Sequence, residues 1–183
     1  MRVLESERLI LRPWKQEDLF VLYQYAKDPN VGPMCGWTPH KDIEESKIIL
    51  NKILMVPYTY AITLKTTNEV IGNISLTFKD ASNFAKKEDE AEVGYWLGVP
   101  FWNKGYTSEA VKCIITYAFE ELGCTKLYSG HFDGNKASYR VQKKCGFHYE
   151  QTISNLYIKS LKAFKDLHVL SIYKKDRQEG ENV

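Results

Sequence analysis

The hydrophobic residues of this chain recur with two different periods, and each change of period marks a boundary between a predicted strand and a predicted helix. The clearest strand covers residues 91–99, where apolar residues alternate strictly with glutamate, glycine and tryptophan. The clearest helix covers residues 107–122, where the apolar residues form one stripe. Because both periods occur in one short chain, we expect a fold that mixes strands and helices.

The same periods predict the remaining elements in order along the chain. Helices are predicted over three further ranges: residues 17–26, 41–55 and 135–145. Strands are predicted over six further ranges: residues 4–12, 59–64, 70–78, 125–132, 149–157 and 167–173. Three segments carry neither period: a long loop at 28–40, a polar and mobile connection at 79–89, and a frayed polar tail from residue 174. No linker or repeat divides the chain, so we interpret residues 1–183 as one α/β domain built on a mixed sheet.

The composition excludes several classes of protein. Hydrophobic residues make up 44% of the chain and charged residues 26%, which is typical of a folded soluble domain rather than a disordered one. Lys and Arg total 25 against 23 Asp and Glu, and this excess is too small for the basic footprint of a duplex-binding protein. No apolar run approaches the roughly 18 residues of a membrane span, and the first residues lack the apolar core of a signal peptide. We therefore expect a cytoplasmic protein with neither nucleic acid nor a membrane as its partner.

The cysteines and histidines do not indicate a metal site. The four cysteines include no Cys-x-x-Cys pair, and their apolar surroundings predict reduced structural thiols. The four histidines are scattered without the spacing of metal ligands. We therefore expect no bound metal.

The junction between the clearest strand and the clearest helix is the most informative segment. A loop containing Gly105 opens directly into the helix, so backbone N–H groups and the helix dipole are available to an anion, above all to a phosphate group. Gly94 and Gly98 in the preceding strand indicate a bulge or the close approach of a ligand to the backbone. The loop matches neither the Walker motif nor the three-glycine dinucleotide motif. From these residues alone, an ordinary strand-to-helix turn stays open as the alternative.

Four ordered motifs resemble the GNAT acetyl-coenzyme A-dependent N-acetyltransferases, in particular the RimJ/RimL-like branch that includes ribosomal-protein N-terminal acetyltransferases. The motifs read SERLILRPW at residues 6–14, EVGYWL at 92–97, WNKGYTSEA at 102–110, and NKAS at 135–138 together with KCGF at 144–147. The resemblance covers nearly the whole chain. It implies the GNAT fold, with a mostly antiparallel twisted sheet of six or seven strands, flanking helices, and acetyl-coenzyme A in the splay between central strands.

The resemblance also implies which residues bind this cosubstrate. The pyrophosphate is expected on the N–H groups of the phosphate loop, which comprises Asn103, Lys104, Gly105, Tyr106 and Thr107. The pantetheine amides are expected to pair with the strand backbone at Leu97, Gly98 and Val99, and Asn135 to bond the pantetheine arm, with a plain helix cap as the alternative role of Asn135. Two residues depart from the family pattern. Thr107 is branched where a small residue is usual, and Gln142 stands where many relatives place a tyrosine that protonates the leaving thiolate.

The reaction implied by the resemblance is a direct attack of an amine on the acetyl thioester. This attack needs a neutral amine and a path for two protons. Glu92 is the candidate base, because it lies on the strand beside the expected thioester, and a solvated strand carboxylate is the alternative. Ser138 is the candidate that holds or protonates the sulfur, as in relatives of this branch, and a hydrogen bond at the helix N-terminus is the alternative. Tyr139 is a weaker candidate, since an aromatic residue there more often packs than reacts.

The acceptor is expected to be a primary amine, either a protein N-terminal α-amino group or a small polyamine or aminoglycoside-like molecule. An α-amino group with a pKa near 7.8 is roughly a tenth to a fifth neutral at pH 7, whereas deprotonating a lysine-like amine costs about 4.6 kcal/mol. Acceptor selection is expected from five groups of residues: the loop around residues 34–40 with Trp37, the Glu44–Glu45 pair, Tyr58, Tyr60, and the connection at 78–90.

Two other classes of function stay open at this point. The first is a coenzyme A-binding sensor or interaction protein without catalysis, which Thr107 and the missing tyrosine would suit. The second is a nucleotide-binding module that uses the same helix terminus. The protein is expected to be a monomer or a homodimer, and exposed C-terminal strands favour the dimer.

Overall fold

The strands form a single sheet in the order β1-β2-β3-β4-β5-β6-β8-β7. In the computed structural model, which describes residues 1–176, their bounds are β1 Leu4–Glu5, β2 Leu9–Pro13, β3 Thr59–Leu64, β4 Val70–Phe78, β5 Glu90–Leu97, β6 Lys126–Phe132, β7 His148–Ile158 and β8 Ala163–Tyr173. Every neighbouring pair is antiparallel except β5 with β6. The expectation of a mixed, mostly antiparallel sheet is confirmed, and the described residues form eight strands where about six or seven were expected.

The additional strand arises at the N-terminal end of the sheet. The single strand predicted over residues 4–12 reverses direction after Glu5, and β1 pairs with β2 through Leu4 opposite Leu11. The turn is closed by Ser6, whose amide donates to the Leu9 carbonyl at 3.0 Å and whose hydroxyl accepts the Leu9 N–H at 3.2 Å. A serine that bonds its neighbouring backbone favours turns over continuous strand.

Within residues 1–173, five α-helices connect the strands. Their bounds are α1 Leu19–Ala26, α2 Gly32–Cys35, α3 Ile43–Ile49, α4 Tyr106–Glu120 and α5 Lys136–Lys144. The helix predicted over 41–55 begins after Asp42, whose carboxylate caps the Glu45 N–H at 2.8 Å, and it widens into a π-helical turn at Leu50–Leu54. The loop predicted at 28–40 is confirmed apart from the single turn of α2.

The apolar faces of the helices build two core clusters on the sheet. The α4 stripe is fully buried in the larger cluster, through Val111, Ile114, Ile115, Ala118 and Phe119. The smaller cluster joins α1 and the π-helical turn to the sheet around Trp14. Because the side chains of a strand alternate between faces, β5 contributes to both clusters and is held from both sides.

The connection between β4 and β5 is anchored, so the expectation of a mobile segment at 79–89 is wrong. Ser82, Phe84 and Ala85 are buried, and the Ser82 hydroxyl accepts the N–H groups of Phe84 and Ala85 at 3.0 and 2.9 Å. The tail predicted to fray from residue 174 is instead helical over its described residues 174–176, where the Lys174 N–H donates to the Thr125 carbonyl at 3.0 Å. Residues 177–183 lie outside the described part. No helix within residues 1–176 is both long enough and apolar enough to cross a membrane.

The two central strands pair over a short distance only. β5 and β6 are matched through Glu90 opposite Lys126, Ala91 opposite Leu127 and Glu92 opposite Tyr128. Beyond Glu92 the ladder between them ends, although β5 stays paired with β4 as far as Leu97. The sheet therefore opens at its middle, as the resemblance implied, and this opening positions the candidate site.

Candidate functional site

A cavity of about 970 Å³ lies in the opening between β5 and β6. Both strands line it, together with the phosphate loop, the first turns of α5, and residues of the loop before α3. A cavity of this size matches the pockets that hold large organic ligands. The cavity is therefore the candidate active site.

The side of β5 that faces the opening presents three carbonyl groups in succession. The Val93 carbonyl accepts the Ser129 hydroxyl at 3.0 Å, and the Leu97 carbonyl accepts the Trp102 indole N–H at 2.7 Å. The Tyr95 carbonyl, between them, has the Cys35 thiol at 3.9 Å, and a thiol is a weak donor. Side-chain donors thus take the place of the N–H groups that a neighbouring strand would supply to these carbonyls. Because its donor is the weakest, the Tyr95 carbonyl is the one best able to accept an amide N–H from a ligand.

The phosphate loop forms the second wall of the cavity. Asn103 and Gly105 adopt left-handed backbone conformations, with φ of +60° and +82°, and α4 begins immediately afterwards. The first N–H groups of a helix have no acceptor within the helix, so those of Tyr106, Thr107 and Ser108 are available to an anion. All three residues line the cavity, which supports the expected phosphate site.

Arg8 braces the phosphate loop from the N-terminal strands. Its guanidinium donates to Glu109 at 2.7 Å and to the Lys104 carbonyl at 3.1 Å, and it lies 4.6 Å from the centre of the Tyr106 ring. Although burial opposes the ionisation of Glu109, hydrogen bonds from the Arg8 amide, the Ser6 hydroxyl and the Arg8 guanidinium lower the pKa of its carboxyl. The sequence motif contains Arg8 and Glu109, but nothing in it indicated that they pair across 101 residues.

A row of cations on α5 completes the phosphate end of the cavity. Lys136, Arg140 and Lys144 all line it, and their spacing of four residues places them on one face of the helix. Sequence reasoning missed this row, although the spacing was visible. Lys104 of the phosphate loop does not line the cavity, and its ammonium lies 5.7 Å from the centre of the Phe101 ring.

The start of α5 brings together two predicted residues and one that was missed. Asn135 caps the helix by accepting the Ser138 N–H at 3.1 Å, while its amide nitrogen donates to the Met34 carbonyl at 3.2 Å. The Ser138 hydroxyl lies 2.8 Å from the hydroxyl of Tyr95, and the Tyr95 hydroxyl is also 3.3 Å from the Ser138 carbonyl. Burial raises the pKa of Tyr95, so this hydroxyl keeps its proton at neutral pH.

Sequence reasoning treated Tyr95 only as one apolar residue of the alternating strand. A tyrosine hydroxyl that is removed from water normally has a hydrogen-bond partner. This rule could have indicated from the sequence that the Tyr95 hydroxyl bonds to another polar group. The partner itself, 43 residues away, was not visible in the sequence.

Glu92 lies at the point where the β5–β6 ladder ends, and its side chain lines the cavity. Its Oε2 atom accepts the Ser82 hydroxyl and the Asn83 N–H, both at 2.9 Å. The carboxylate therefore anchors the connection between β4 and β5 as well as facing the site. This structural contact is a role that the sequence did not indicate.

Several other predicted residues lie away from the cavity. Gly98 is buried against the Tyr25 ring, whose atoms would be 2.8 Å from an added Cβ, and its amide donates to the Ile71 carbonyl at 2.9 Å. The chain then turns away through Val99–Phe101, so of the segment expected to pair with pantetheine only Leu97 lines the cavity. Gln142 is fully buried against His131 and Ser129, and it also lies outside the lining.

The expected acceptor residues divide into two groups. Trp37, Met34 and His40 line the cavity. Tyr60 is fully buried in the core and Tyr58 packs against Phe78, while the Glu44–Glu45 pair belongs to the first turn of α3. These four individually predicted residues are thus absent from the lining, whereas the connection at 78–90 contributes Asn83 and Phe84 to it.

The remaining ionisable clusters do not form a metal centre. Among residues 1–176 no group of three histidine, cysteine or acidic side chains is arranged to hold a metal ion. The four cysteines are free thiols, and burial raises the pKa of Cys124 and Cys145 to about 11.

Comparison with known sequences places this site in a described family. The model of the acetyltransferase (GNAT) domain matches residues 8–148. Among curated proteins, the chain is 30% identical to N-acetyltransferase p20 of Bacillus licheniformis, itself uncharacterized, over 96% of this chain and 98% of the relative. It is 34% identical to YdaF of Bacillus subtilis, provisionally named a ribosomal N-acetyltransferase, over 54% of this chain and 53% of that protein.

Solved structures share the fold at lower identity. A GNAT-family acetyltransferase from Bacillus anthracis superposes with a TM-score of 0.84 at 22% identity, covering 95% of this chain and 99% of the other. A spermidine N-acetyltransferase from Vibrio cholerae, solved with CoA and spermine, superposes with a TM-score of 0.75 at 17% identity, covering 93% of this chain and 98% of the other. Both structures are similar to this chain in the arrangement of strands and helices.

Proposed function

Since the chain belongs to the GNAT acetyltransferase family and is an acetyl-coenzyme A-dependent N-acetyltransferase, we propose that it acetylates a primary amine by direct attack in the cavity between β5 and β6. The observation that carries this proposal is the distribution of polar groups around the cavity. Helix N–H groups and the α5 cations lie at one end, β5 carbonyls lie in the middle, and the Glu92 carboxylate lies at the other side. The match to YdaF agrees with the RimJ/RimL-like branch of the family.

The residues around the cavity fit coenzyme A. The phosphate groups need cations and N–H donors, which Lys136, Arg140, Lys144 and the first turn of α4 supply. The amides of pantetheine need backbone partners, and the Tyr95 carbonyl is the accessible one. When bound, the cosubstrate supplies an acetyl thioester.

Glu92 is the proposed base, acting directly or through water. A carboxylate beside the amine removes the proton that must leave when the C–N bond forms. The two hydrogen bonds from Ser82 and Asn83 hold Oε2 in place and keep the carboxylate directed at the cavity rather than at solvent. In this role Glu92 is both the base and the anchor of the β4–β5 connection.

Ser138 is the proposed partner of the departing sulfur, and Tyr95 positions it. Both residues line the cavity and the Ser138 hydroxyl is hydrogen bonded to the Tyr95 hydroxyl, so a proton given to the thiolate by Ser138 can be replaced from Tyr95. Coenzyme A departs as a thiolate with a pKa near the thiol reference of about 8.5, so little acid assistance is needed at neutral pH. The absence of a tyrosine at position 142 therefore does not prevent turnover.

The acceptor proposed here is a protein N-terminal α-amino group or a small amine. The names of YdaF and of the Vibrio cholerae enzyme point to these two kinds of acceptor respectively. A weakly basic α-amino group reaches its neutral form at pH 7 at a cost of about 1 kcal/mol, which places little demand on the base.

Thiol release with acetyl-coenzyme A and a panel of amines tests the proposal. We expect saturable binding of acetyl-coenzyme A and amine-dependent release of free thiol. Saturable binding without release for any amine would support a coenzyme A sensor, and no binding at millimolar concentration would exclude both functions.

The role of Glu92 is tested by the pH dependence of kcat in Glu92→Gln. The loss is expected to reach about 100-fold at low pH and to shrink at high pH, where the amine is already neutral, with the affinity for acetyl-coenzyme A nearly unchanged. Ser82→Ala is the matched control, because it removes one anchor of the connection and retains the carboxylate. If Ser82→Ala produces the same pH-dependent loss, Glu92 acts as an anchor and not as a base.

A further inference from the structure

The side of the cavity around Glu92 combines one carboxylate with mostly apolar side chains. Because side chains alternate along β5, Glu92 and Trp96 lie on the face opposite to Tyr95 and α5. On that face the cavity is lined by apolar side chains from four segments, and we call this surface the acceptor wall: Trp37, Ile49, Ile53, Phe84 and Trp96.

The acceptor wall carries a single carboxylate. Within residues 1–176, Glu92 is the one acidic side chain that lines the cavity, and its polar neighbours Asn73, Ser75 and Asn83 are neutral. His40, which also lines the wall, hydrogen bonds to Ser46 at 2.8 Å, and burial lowers the pKa of its imidazole. Glu92 can therefore form an ion pair with one ammonium group of an acceptor at this wall. A second or third ammonium group of the same acceptor would lie against uncharged surface.

The opposite end of the cavity does not supply the missing negative charge. The side chains that line it on α5 are the cations Lys136, Arg140 and Lys144. In the proposed function these cations are paired with the phosphates of coenzyme A, which fills that end, so a long polyamine has no room to extend from Glu92 in that direction. A polyamine that extends along the acceptor wall loses hydration of its charges without compensation. Both directions disfavour a polycation.

The aromatic rings of the acceptor wall favour an acceptor amine whose substituent is uncharged rather than a polyamine chain. The Trp37 and Trp96 rings lie 6.2 Å apart in an edge-to-face arrangement, and Ile49 packs against the same cluster. A flat apolar group beside these rings would bury its surface and gain edge or face contacts. On this basis, and resting on the proposed function, we propose that the acceptor is a primary amine attached to an apolar substituent of aromatic size, and not a polyamine.

The specificity of the native enzyme tests this proposal. The measurement is kcat/KM with 2-phenylethylamine, n-propylamine and spermidine at saturating acetyl-coenzyme A, followed by thiol release. We expect 2-phenylethylamine to exceed both other amines by about 10-fold or more, which lies within the range that an apolar pocket discriminates. Equal or better turnover of spermidine overturns the acceptor class but leaves the proposed acetyl transfer intact. If these amines and a wider panel that includes peptides with a free α-amino group all fail to release thiol although acetyl-coenzyme A binds, the proposed function itself fails.

Two matched substitutions to glutamate test whether the acceptor wall sets the preference between 2-phenylethylamine and spermidine. Ile53 lines the cavity and Ile48 does not, and both side chains are exposed, at 56% and 55%, so both variants are expected to fold. Ile53→Glu adds a second carboxylate to the wall and is expected to raise the ratio of spermidine to 2-phenylethylamine by roughly 5-fold. Ile48→Glu is expected to leave this ratio unchanged. An equal shift in both variants, or none in Ile53→Glu, would show that the acceptor wall does not set the preference.

Discussion

At the scale of single residues, the pair formed by Tyr95 and Ser138 is the feature that most extends the chemistry of the site. Two hydroxyl groups 2.8 Å apart can pass a proton, and burial, by raising the pKa of Tyr95, keeps a proton on the inner member of the pair. Both residues line the cavity, and their hydroxyl groups are hydrogen bonded to each other. The two residues should therefore act as a unit.

Tyr95→Phe is expected to lower kcat about 10-fold and to leave the KM for acetyl-coenzyme A within about twofold. This loss is smaller than that of a typical acid–base group, because the thiolate is a good leaving group. Ser138→Ala should give a similar loss, and the double variant should lose little more, because the residues share one function. Tyr139→Phe is the control, since Tyr139 is exposed and packs on His131. Additive losses in the double variant would contradict a shared role.

The residues of the site differ in how far the sequence could predict them. Asn135, Ser138 and the phosphate loop belong to motifs in which the functional residues are adjacent in the chain. Tyr95 and Arg8 could not be predicted in the same way, because their partners are 43 and 101 residues distant and are set by the packing of the sheet. Gly98 shows the opposite error, since its missing side chain makes room for the Tyr25 ring and not for a ligand.

At the scale of elements, the junction of β5 and α4 combines a strand, a left-handed turn and a helix N-terminus. The hydrophobic periods predicted the strand over 91–99 and the helix over 107–122, and in the structure β5 ends at Leu97 and α4 begins at Tyr106. The reversal between β1 and β2 was not predicted, because the hydrophobic pattern of residues 4–12 is compatible with one strand and the turn depends on the hydrogen bonds of Ser6. In the proposed function, binding of the cosubstrate at this junction depends on the left-handed backbone conformation of Gly105.

Gly105→Ala is expected to raise the Kd for acetyl-coenzyme A about 10-fold, because a residue with a Cβ is strained at φ of +82° by about 1–2 kcal/mol and will distort the phosphate loop. Isothermal titration calorimetry measures this Kd. Gly123→Ala is matched in backbone strain, with φ of +72°, and nothing lies within 4 Å of its added Cβ. It should lower stability by a similar amount without changing the Kd. A Kd that rises equally in both variants would attribute the effect to general destabilisation.

At the scale of the whole molecule, the buried histidines link folding stability to pH. His40 and His131 lie in different parts of the structure, and burial lowers the pKa of each imidazole. The unfolded chain therefore binds more protons than the folded chain as the pH falls below about 6.5, so the free energy of unfolding decreases in that range. Stability from these groups is fully present above the unfolded pKa.

Urea unfolding at pH 7.5 and pH 5.5 measures this dependence. The native chain is expected to lose free energy of unfolding at the lower pH, and His131→Asn is expected to lose less of it because one contributing imidazole is gone. His148→Asn removes an exposed histidine and should retain the native dependence. An unchanged dependence in His131→Asn would mean that His131 is not a source of the effect.

Only three residue pairs join β5 to β6, so the sheet has a weakly paired line between its two central strands, which we call the seam. A cosubstrate that occupies this seam binds the folded chain and not the unfolded one, and at 100 times its Kd it would add about 2.7 kcal/mol to stability. The abundance of the enzyme in a cell would then follow the supply of acetyl groups.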